Sequence, residues 1–370
     1  MMDSRIQKMA EIIINYSTAV KPGDLVLLRG TSPVAQPLLQ AMYAEALKAG
    51  GLAFVYVHMS DEDRIVMQNG SPAQVEMMNP MLKLMYDTAN VIVRVDADED
   101  TKSLAQFATD YQQARVKAKG GLLRIQGQRE GEGSLRRCST LFPTPAFAAD
   151  AGMSLEEYTD FVYGACHLSA PDPVAYWKAY AAEQQKLCDF LRGHKKLQVR
   201  GKNIDMEMSI EGRTFINADG TANFPDGEIF TGPVEDSVNG WVRFTYPAIY
   251  QGNTVKGIEL HFEKGRITKA SAQENEQFLL AMLDTDAGAR TLGEFAIGTN
   301  KDINRFTGQI LFDEKIGGTV HMAVGAAYPE TGAVNQSTVH WDMICDMRDG
   351  GEILVDGTRF YENGQFLVGK

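Results

Sequence analysis

The stretch KPGDLVLL, residues 21–28, decides the fold of the first part of the chain. Its Pro-Gly-Asp turn introduces four consecutive apolar residues, a pattern that predicts a strand buried on both faces, as in a parallel sheet. Ser32 then predicts the N-cap of a helix that ends at Gly50-Gly51, and the apolar residues 52–57 predict a second strand. Two strands joined by a helix form a βαβ unit, and we therefore expect a parallel sheet here.

The same alternation continues through the first 150 residues. Periodicity predicts a helix near residues 81–88, a strand at 91–95, a helix at 102–117 and a strand at 122–125. Residues 1–150 are accordingly predicted to form an α/β domain with a parallel sheet.

Beyond residue 150 the pattern changes twice. Ser154 and Glu157 have capping-box spacing and open a predicted helical connection that covers residues 151–195. From residue 196 onward apolar and polar residues alternate with a period of two, for example at 204–210, which is typical of antiparallel strands with one buried face. Residues 196–370 are therefore predicted to form an α+β domain rich in antiparallel strands.

Composition excludes several classes of function. The chain has 370 residues, enough for two domains, and its formal net charge of −12 comes without a basic stripe that would bind nucleic acid. No apolar run reaches the roughly 20 residues that a membrane helix needs, and no signal-peptide core is present, so we expect a cytoplasmic protein. The four cysteines lack Cys-x-x-Cys spacing and are expected to be buried thiols.

Several polar residues of the second half stand where their apolar neighbours predict burial. His340 and Asp342 occupy positions i and i+2 of an apolar strand, so their side chains point to the same face. His321 lies in the middle of a second apolar strand, and Glu294 and Glu228 are embedded in two further apolar runs. Burial of such groups in a core costs free energy unless each has a hydrogen-bonding or charged partner.

Each of these residues also has a plain structural interpretation. A single histidine in a strand is more often a hydrogen-bonded core residue than a metal ligand, and a single glutamate at a strand start is usually solvated. Five such residues in one half of the chain are harder to satisfy separately, and a shared metal site would satisfy them together. The residues alone leave both interpretations open, since the chain has neither the His-Glu-x-x-His motif nor the Gly-x-Ser-x-Gly motif.

Longer motifs make the sequence similar to a known family. It resembles the thermophilic metallo-aminopeptidases, the family of aminopeptidases T and S, across nearly the whole chain. The motifs that carry the resemblance are NFPDGEIFTGP at residues 223–233, EDSVNG at 235–240, LGE at 292–294, GTN at 298–300, DE at 313–314 and HWD at 340–342.

The resemblance implies that residues 196–370 form a metal-binding catalytic domain. It implies two neighbouring divalent metal ions, with Glu294 shared between them, and the ligands Glu228, Glu294, Glu314, His321, His340 and Asp342. Six residues separate Glu314 from His321 here, whereas other members have a shorter spacing at this point. An oxygen-rich set with two imidazoles suits zinc, cobalt or manganese.

The resemblance also implies a reaction, a substrate and an assembly. Paired ions acidify a water and polarise the carbonyl of the first peptide bond, Glu294 or Glu314 takes the proton, and Tyr328 donates a hydrogen bond to the developing oxyanion. Peptide substrates and a homodimer are the expected partners. Two alternatives remain: a metal-dependent amidohydrolase of another substrate class, and a non-catalytic binding protein on the same scaffold.

Overall fold

The chain divides into two compact units. The computed structural model describes residues 3–104, 107 and 109–368. The first unit comprises Met1–Tyr176 and Gly220–Pro225, and the second comprises Trp177–Asp219 and Asp226–Lys370. The domain boundaries expected at residues 150 and 195 stay predictions.

A parallel sheet forms the centre of the first unit. Its strands are β1 Leu25–Gly30, β2 Leu52–Val57, β3 Val91–Asp96 and β4 Arg136–Leu141. They pair in parallel in the order β2-β1-β3-β4, and residues 26–28 of β1 are fully buried. The parallel sheet predicted from KPGDLVLL is thus confirmed.

Helices precede, connect and follow these strands, and the last of them continues into the second unit at Trp177. They are α1 Ser4–Ile12, continued by a π-helical turn at Ile13–Ser17, a 3₁₀ turn at Pro33–Ala35, α2 Gln36–Lys48, α3 Glu62–Asn69, α4 Pro72–Val75, α5 Pro80–Thr88, α6 Thr109–Gly131, α7 Pro145–Asp150, α8 Leu155–Ala165 and α9 Pro173–Leu191. The Ser32 hydroxyl accepts from the Val34 amide, and Ser154 with Glu157 completes a capping box, both as predicted.

One predicted strand is wrong. Residues 122–125 lie within α6, where Leu122 is buried and Leu123 is 59% exposed, as one-sided burial of a helix requires. A four-residue apolar run cannot distinguish a strand from one turn of a buried helix. The helix predicted at 102–117 overlaps the start of α6, and its residues 105, 106 and 108 lie outside the described residues.

The second unit is mainly antiparallel. Its strands are β5 Lys196–Gly201, β6 Ile204–Ser209, β7 Ile216–Ala218, β8 Glu228–Thr231, β9 Asn239–Arg243, β10 Ala248–Tyr250, β11 Asn253–Val255, β12 Glu259–Glu263, β13 Arg266–Ser271, β14 Leu292–Gly298, β15 Thr319–Gly325, β16 His340–Asp346, β17 Glu352–Val355, β18 Thr358–Glu362 and β19 Gln365–Phe366. Its further helices are α10 Glu276–Leu283, α11 Ile310–Asp313 and a 3₁₀ turn at Pro329–Thr331.

These strands form two large sheets and a small hairpin of β10 and β11. One sheet has eight strands in the order β13-β12-β9-β6-β5-β17-β18-β19, and the other has five in the order β16-β15-β14-β8-β7. Met206 of the first sheet and Phe295 and Met322 of the second belong to one buried apolar cluster. The α/β first part and the antiparallel second part agree with the predicted fold class, and within the described residues no helix is long and apolar enough to cross a membrane.

Candidate metal centre

Five predicted ligands lie on one face of the five-stranded sheet. Directly opposite residues of an antiparallel pair point to the same face, as do residues two apart in one strand. Ala323 in β15 lies opposite Glu294 in β14 on one side and opposite Asp342 in β16 on the other. His321 precedes Ala323 by two positions and His340 precedes Asp342 by two, so both imidazoles share that face.

Small residues separate the ligands on this face. Glu228, the first residue of β8, lies opposite Gly298 of β14. Ala296 lies opposite one of the two histidines and Gly325 opposite the other, while Ala323 stands between two carboxylates. The sheet therefore leaves open space among the polar groups, where larger side chains would fill it.

The other face of the same strands is apolar. Phe295, Met322 and Met343 alternate with the ligand positions and are completely buried in the core cluster. This alternation explains why the polar residues stand in apolar sequence: one face of each strand packs the core, and the opposite face holds the ligands.

A β-bulge and a glycine set the position of Glu294. The register shifts between Leu292 and Glu294, and a Cβ on Gly293 would lie 2.3 Å from the carbonyl oxygen of Ala326. The same carbonyl lies 2.9 Å from Nδ1 of His340. With Nδ1 donating to this carbonyl, Nε2 of His340 faces the carboxylates, as in many metal sites.

The imidazoles and carboxylates are within contact distance. Nε2 of His321 lies 3.1 Å from Oε2 of Glu228 and 3.3 Å from Oε1 of Glu294. Nε2 of His340 lies 3.5 Å from Oε2 of Glu294 and 3.6 Å from Oδ2 of Asp342. Glu294 thus directs one oxygen toward each histidine.

All six predicted ligands come together in three overlapping groups. Within each group the ligand atoms lie within 4.8 Å of one another, and the groups are Glu228 with Glu294 and His321, Glu294 with His340 and Asp342, and Glu314 with His321 and Asp342. Glu314 reaches the site from the C-terminal end of α11. The altered spacing between Glu314 and His321 therefore does not remove the Glu314 carboxylate from the cluster.

A buried lysine beside the cluster was missed from the sequence. Lys315 is completely buried, and its ammonium forms an ion pair with Glu314, lies 3.5 Å from Oε1 of Glu228 and lies 3.7 Å from Oδ1 of Asp226. Asp226 is 1% exposed. The available signal was the lysine's position directly after Glu314 and directly before the apolar Ile316.

Tyr328 lies at the rim of the site. Its ring packs edge-on against the His340 ring, with 5.1 Å between centroids, and also contacts Phe230. The Thr331 hydroxyl donates to its backbone carbonyl at 2.6 Å, and the side chain is 40% exposed. The phenol is thus held beside the ligands at a place that solvent reaches.

Burial and mutual charge determine proton binding in the cluster. Burial raises the pKa of Glu294, the charge of Asp342 adds to the rise, and His321 opposes it. Burial also raises the pKa of Glu314, to about 8, against the effect of Lys315. For His321, burial lowers the pKa, but Glu228 and Glu294 outweigh burial and hold it well above the usual value.

The donor set fits divalent metal ions. Oδ1 of Asp342 and Nδ1 of His321 are buried and have no hydrogen-bond partner among the described residues. Four carboxylates and two imidazoles converge, and carboxylates brought together without cations disfavour one another's charge. Divalent ions would neutralise them and would take oxygen and nitrogen ligands of this kind.

Known proteins resemble this chain in sequence and in fold. Aminopeptidase 2 of Geobacillus stearothermophilus is 27% identical over 406 aligned positions, covering 96% of this chain and 94% of that protein. Aminopeptidase T of Thermus thermophilus is 30% identical over 236 positions, 56% of this chain and 58% of that protein. The structure of wild-type AmpT from Thermus thermophilus superposes with a TM-score of 0.86 at 24% identity, covering 99% of both chains.

The match to a family covers the whole described chain apart from its last residues. A family of peptidases described as thermophilic metalloprotease (M29) matches residues 2–366. The resemblance predicted from the motifs is confirmed. With a carboxylate and imidazole cluster on the sheet and a family match of this extent, the chain belongs to the thermophilic metalloprotease (M29) family.

Proposed function

We propose that this chain is a metal-dependent aminopeptidase that releases N-terminal residues from peptides with water activated between two divalent metal ions. Membership of a metalloprotease family and similarity to two aminopeptidases support the enzyme class. The observation that carries the finer proposal is the overlap of the ligand groups, because two of them meet at Glu294.

The overlap suggests how two ions would be held. Glu228, Glu294 and His321 would bind one ion, while His340 and Asp342 would join Glu294 around the other. Oε1 of Glu294 faces one histidine and Oε2 faces the other, so this carboxylate would be a ligand in both sets. Paired ions supply a Lewis acid and lower the pKa of water.

The remaining groups are suited to moving protons. Because both oxygens of Glu294 face the proposed ion positions, we assign the general base to Glu314, which lies in the cluster but outside those two sets. Its carboxylate would take a proton from the attacking water and return it to the leaving amine. Burial raises its pKa, which suits a group that must hold a proton briefly near neutral pH.

Tyr328 is proposed to stabilise the oxyanion. Its hydroxyl belongs to a ring that packs against His340 and is open to solvent, where a substrate carbonyl can approach. A phenol donor at that place stabilises charge that develops only in the transition state. The side chain would therefore act on kcat more than on KM.

Other parts of the proposal concern the ions, the assembly and the location. Zinc, cobalt and manganese all accept carboxylate and imidazole ligands, and we propose one of these three. We also propose a homodimer in the cytoplasm, as expected from the family resemblance. Peptides with a free amino terminus are the proposed substrates.

The test is hydrolysis of a panel of aminoacyl anilides by chelator-stripped protein, before and after addition of zinc, cobalt or manganese. Glu294→Gln is the active-site variant, and Glu263→Gln, an exposed glutamate in β12, is the matched control. Activity that requires metal, survives in Glu263→Gln and is lost in Glu294→Gln supports the proposal.

Other results would favour the alternatives. Two tightly bound ions without anilide hydrolysis would reject the aminopeptidase and favour a metal-dependent amidohydrolase of another substrate class. Retention of activity after complete removal of metal would reject the metal site itself.

A further inference from the structure

The buried ammonium of Lys315 has more acidic neighbours than one positive charge needs. It pairs with Glu314 and lies near Glu228 and Asp226, and neither Lys315 nor Asp226 is needed to complete the three ligand groups. An ammonium taken out of water is stable only with such close partners.

The contacts divide the oxygens of one ligand between two tasks. Oε1 of Glu228 faces the ammonium at 3.5 Å, whereas Oε2 faces His321 at 3.1 Å. Oε1 of Glu314 likewise forms an ion pair with the ammonium. Lys315 thus contacts one oxygen of each carboxylate, and Oε2 of Glu228 faces His321, which is a predicted metal ligand.

Charge gives the same group a second effect. The charged groups of the cluster and its neighbours include the carboxylates of Asp226, Glu228, Glu294, Glu314 and Asp342 and the ammonium of Lys315. With neutral imidazoles they leave four negative charges, which two divalent ions balance. Asp226 and the ammonium together add no net charge to the ligands.

We propose that Lys315 is a positioning residue: its ammonium holds Glu228 in the orientation in which it would bind a metal ion, and holds Glu314 in its place beside the ligands. This inference rests on the proposed metal site. Metal ligands are generally oriented by partners behind them, and loss of such a partner weakens metal binding or activity by about 10- to 100-fold.

Lys315→Met separates positioning from charge because the two effects have opposite signs. The substitution makes the site more negative, so a lysine acting only by its charge would hinder cations, and its removal would strengthen their binding. A lysine that positions the ligands predicts the reverse. We expect cobalt to bind about 10-fold more weakly or worse, with an altered visible absorption spectrum of the bound cobalt.

The measurements are calorimetric titration of chelator-stripped protein with cobalt and the spectrum of the loaded protein. Lys301→Met changes an exposed lysine whose ammonium donates to the Gln365 side chain. It is the matched control and should behave as the wild type. Cobalt affinity in Lys315→Met equal to or tighter than in the wild type would overturn the proposal. Failure of the wild type itself to bind cobalt would instead reject the proposed metal site.

Asp226→Asn provides a second test if Lys315→Met does not fold. It keeps the ammonium on Glu228 and Glu314, so positioning predicts cobalt affinity within about 3-fold of the wild type, well short of the loss expected for a missing ligand partner. A loss of about 10-fold or more in Asp226→Asn would show that the net charge controls binding and would contradict the positioning role.

Discussion

Glu294→Gln should be at least as stable as the wild type without metal, and less stable than the wild type with metal. Glu294 is buried in the metal-free cluster, and burial together with Asp342 raises its pKa above the value of 4.5 that it would have when unfolded. For an acid with a raised folded-state pKa, ionisation opposes folding as the pH rises above 4.5. At neutral pH the metal-free glutamine variant should therefore be at least as stable as the metal-free wild type, and this advantage should vanish below about pH 4.5.

Metal should reverse that order. A ligand present at 100 times its dissociation constant stabilises the state that binds it by about 2.7 kcal/mol. Glu294 belongs to both groups proposed to hold ions, and its loss leaves each with two protein ligands. The wild type should therefore gain about 5 kcal/mol from two ions, of which the variant keeps little.

The assay is thermal unfolding of both proteins at pH 7 with chelator or with excess zinc. A gain of about 5 kcal/mol in the free energy of unfolding corresponds to a rise of about 10 °C or more in the melting temperature of the wild type, by the usual relation between the two for domains of this size. Glu263→Gln should follow the wild type in both conditions. A Glu294→Gln variant with the same zinc-dependent rise as the wild type would refute the shared-ligand assignment.

Three further predictions concern the space, the protons and the rim of the site. Ala323→Val adds methyl groups between two carboxylates, in a residue type that favours strands. Cobalt titration should show affinity lower by about 10-fold or more. Unchanged affinity would contradict the inference that the ions need the open space beside Ala323. Because Glu228 and Glu294 raise the pKa of His321 in the metal-free protein, its proton must leave when a metal binds. Calorimetry between pH 6 and 8 should show metal affinity rising with pH, by about tenfold per pH unit for each proton released. An affinity that does not change with pH would argue against His321 as a ligand. Tyr328→Phe should lower kcat on an anilide by about 100-fold or more while KM changes little, and a change confined to KM would assign the phenol to substrate binding instead.

Sequence patterns were sufficient where one period dominates. The apolar strand at residues 25–28 and the alternation in β6 each specify a strand and its buried sides, and both occur in the structure. They were insufficient at residues 122–125, where only tertiary burial on one side distinguishes a helix from a strand. Local pattern contains no information about which side the rest of the chain covers.

The candidate site shows the same division. His340 and Asp342 could be placed on one face from their i and i+2 spacing, which the strand geometry makes unavoidable. The register that puts Ala323 between Glu294 and Asp342 could not, because pairing of three strands depends on loops whose conformations leave no period in the sequence. Lys315 was missed for a related reason: a lone lysine is normally solvated, and only the fold reveals the carboxylates around it.

The five-stranded sheet combines two requirements that conflict in the absence of ions. Phe295 and Met322 on one face stabilise the sheet by burial, whereas Glu294 and His321 on the other face are polar groups withdrawn from water. A strand buried on both faces would, for stability alone, be apolar on both, as residues 25–28 of β1 are. Departure from that pattern in three adjacent strands is what a functional site is expected to produce, because stability given up there must be regained elsewhere. Metal ions that neutralise the polar face are the natural source of that gain, so metal binding and the stability of this sheet should rise and fall together.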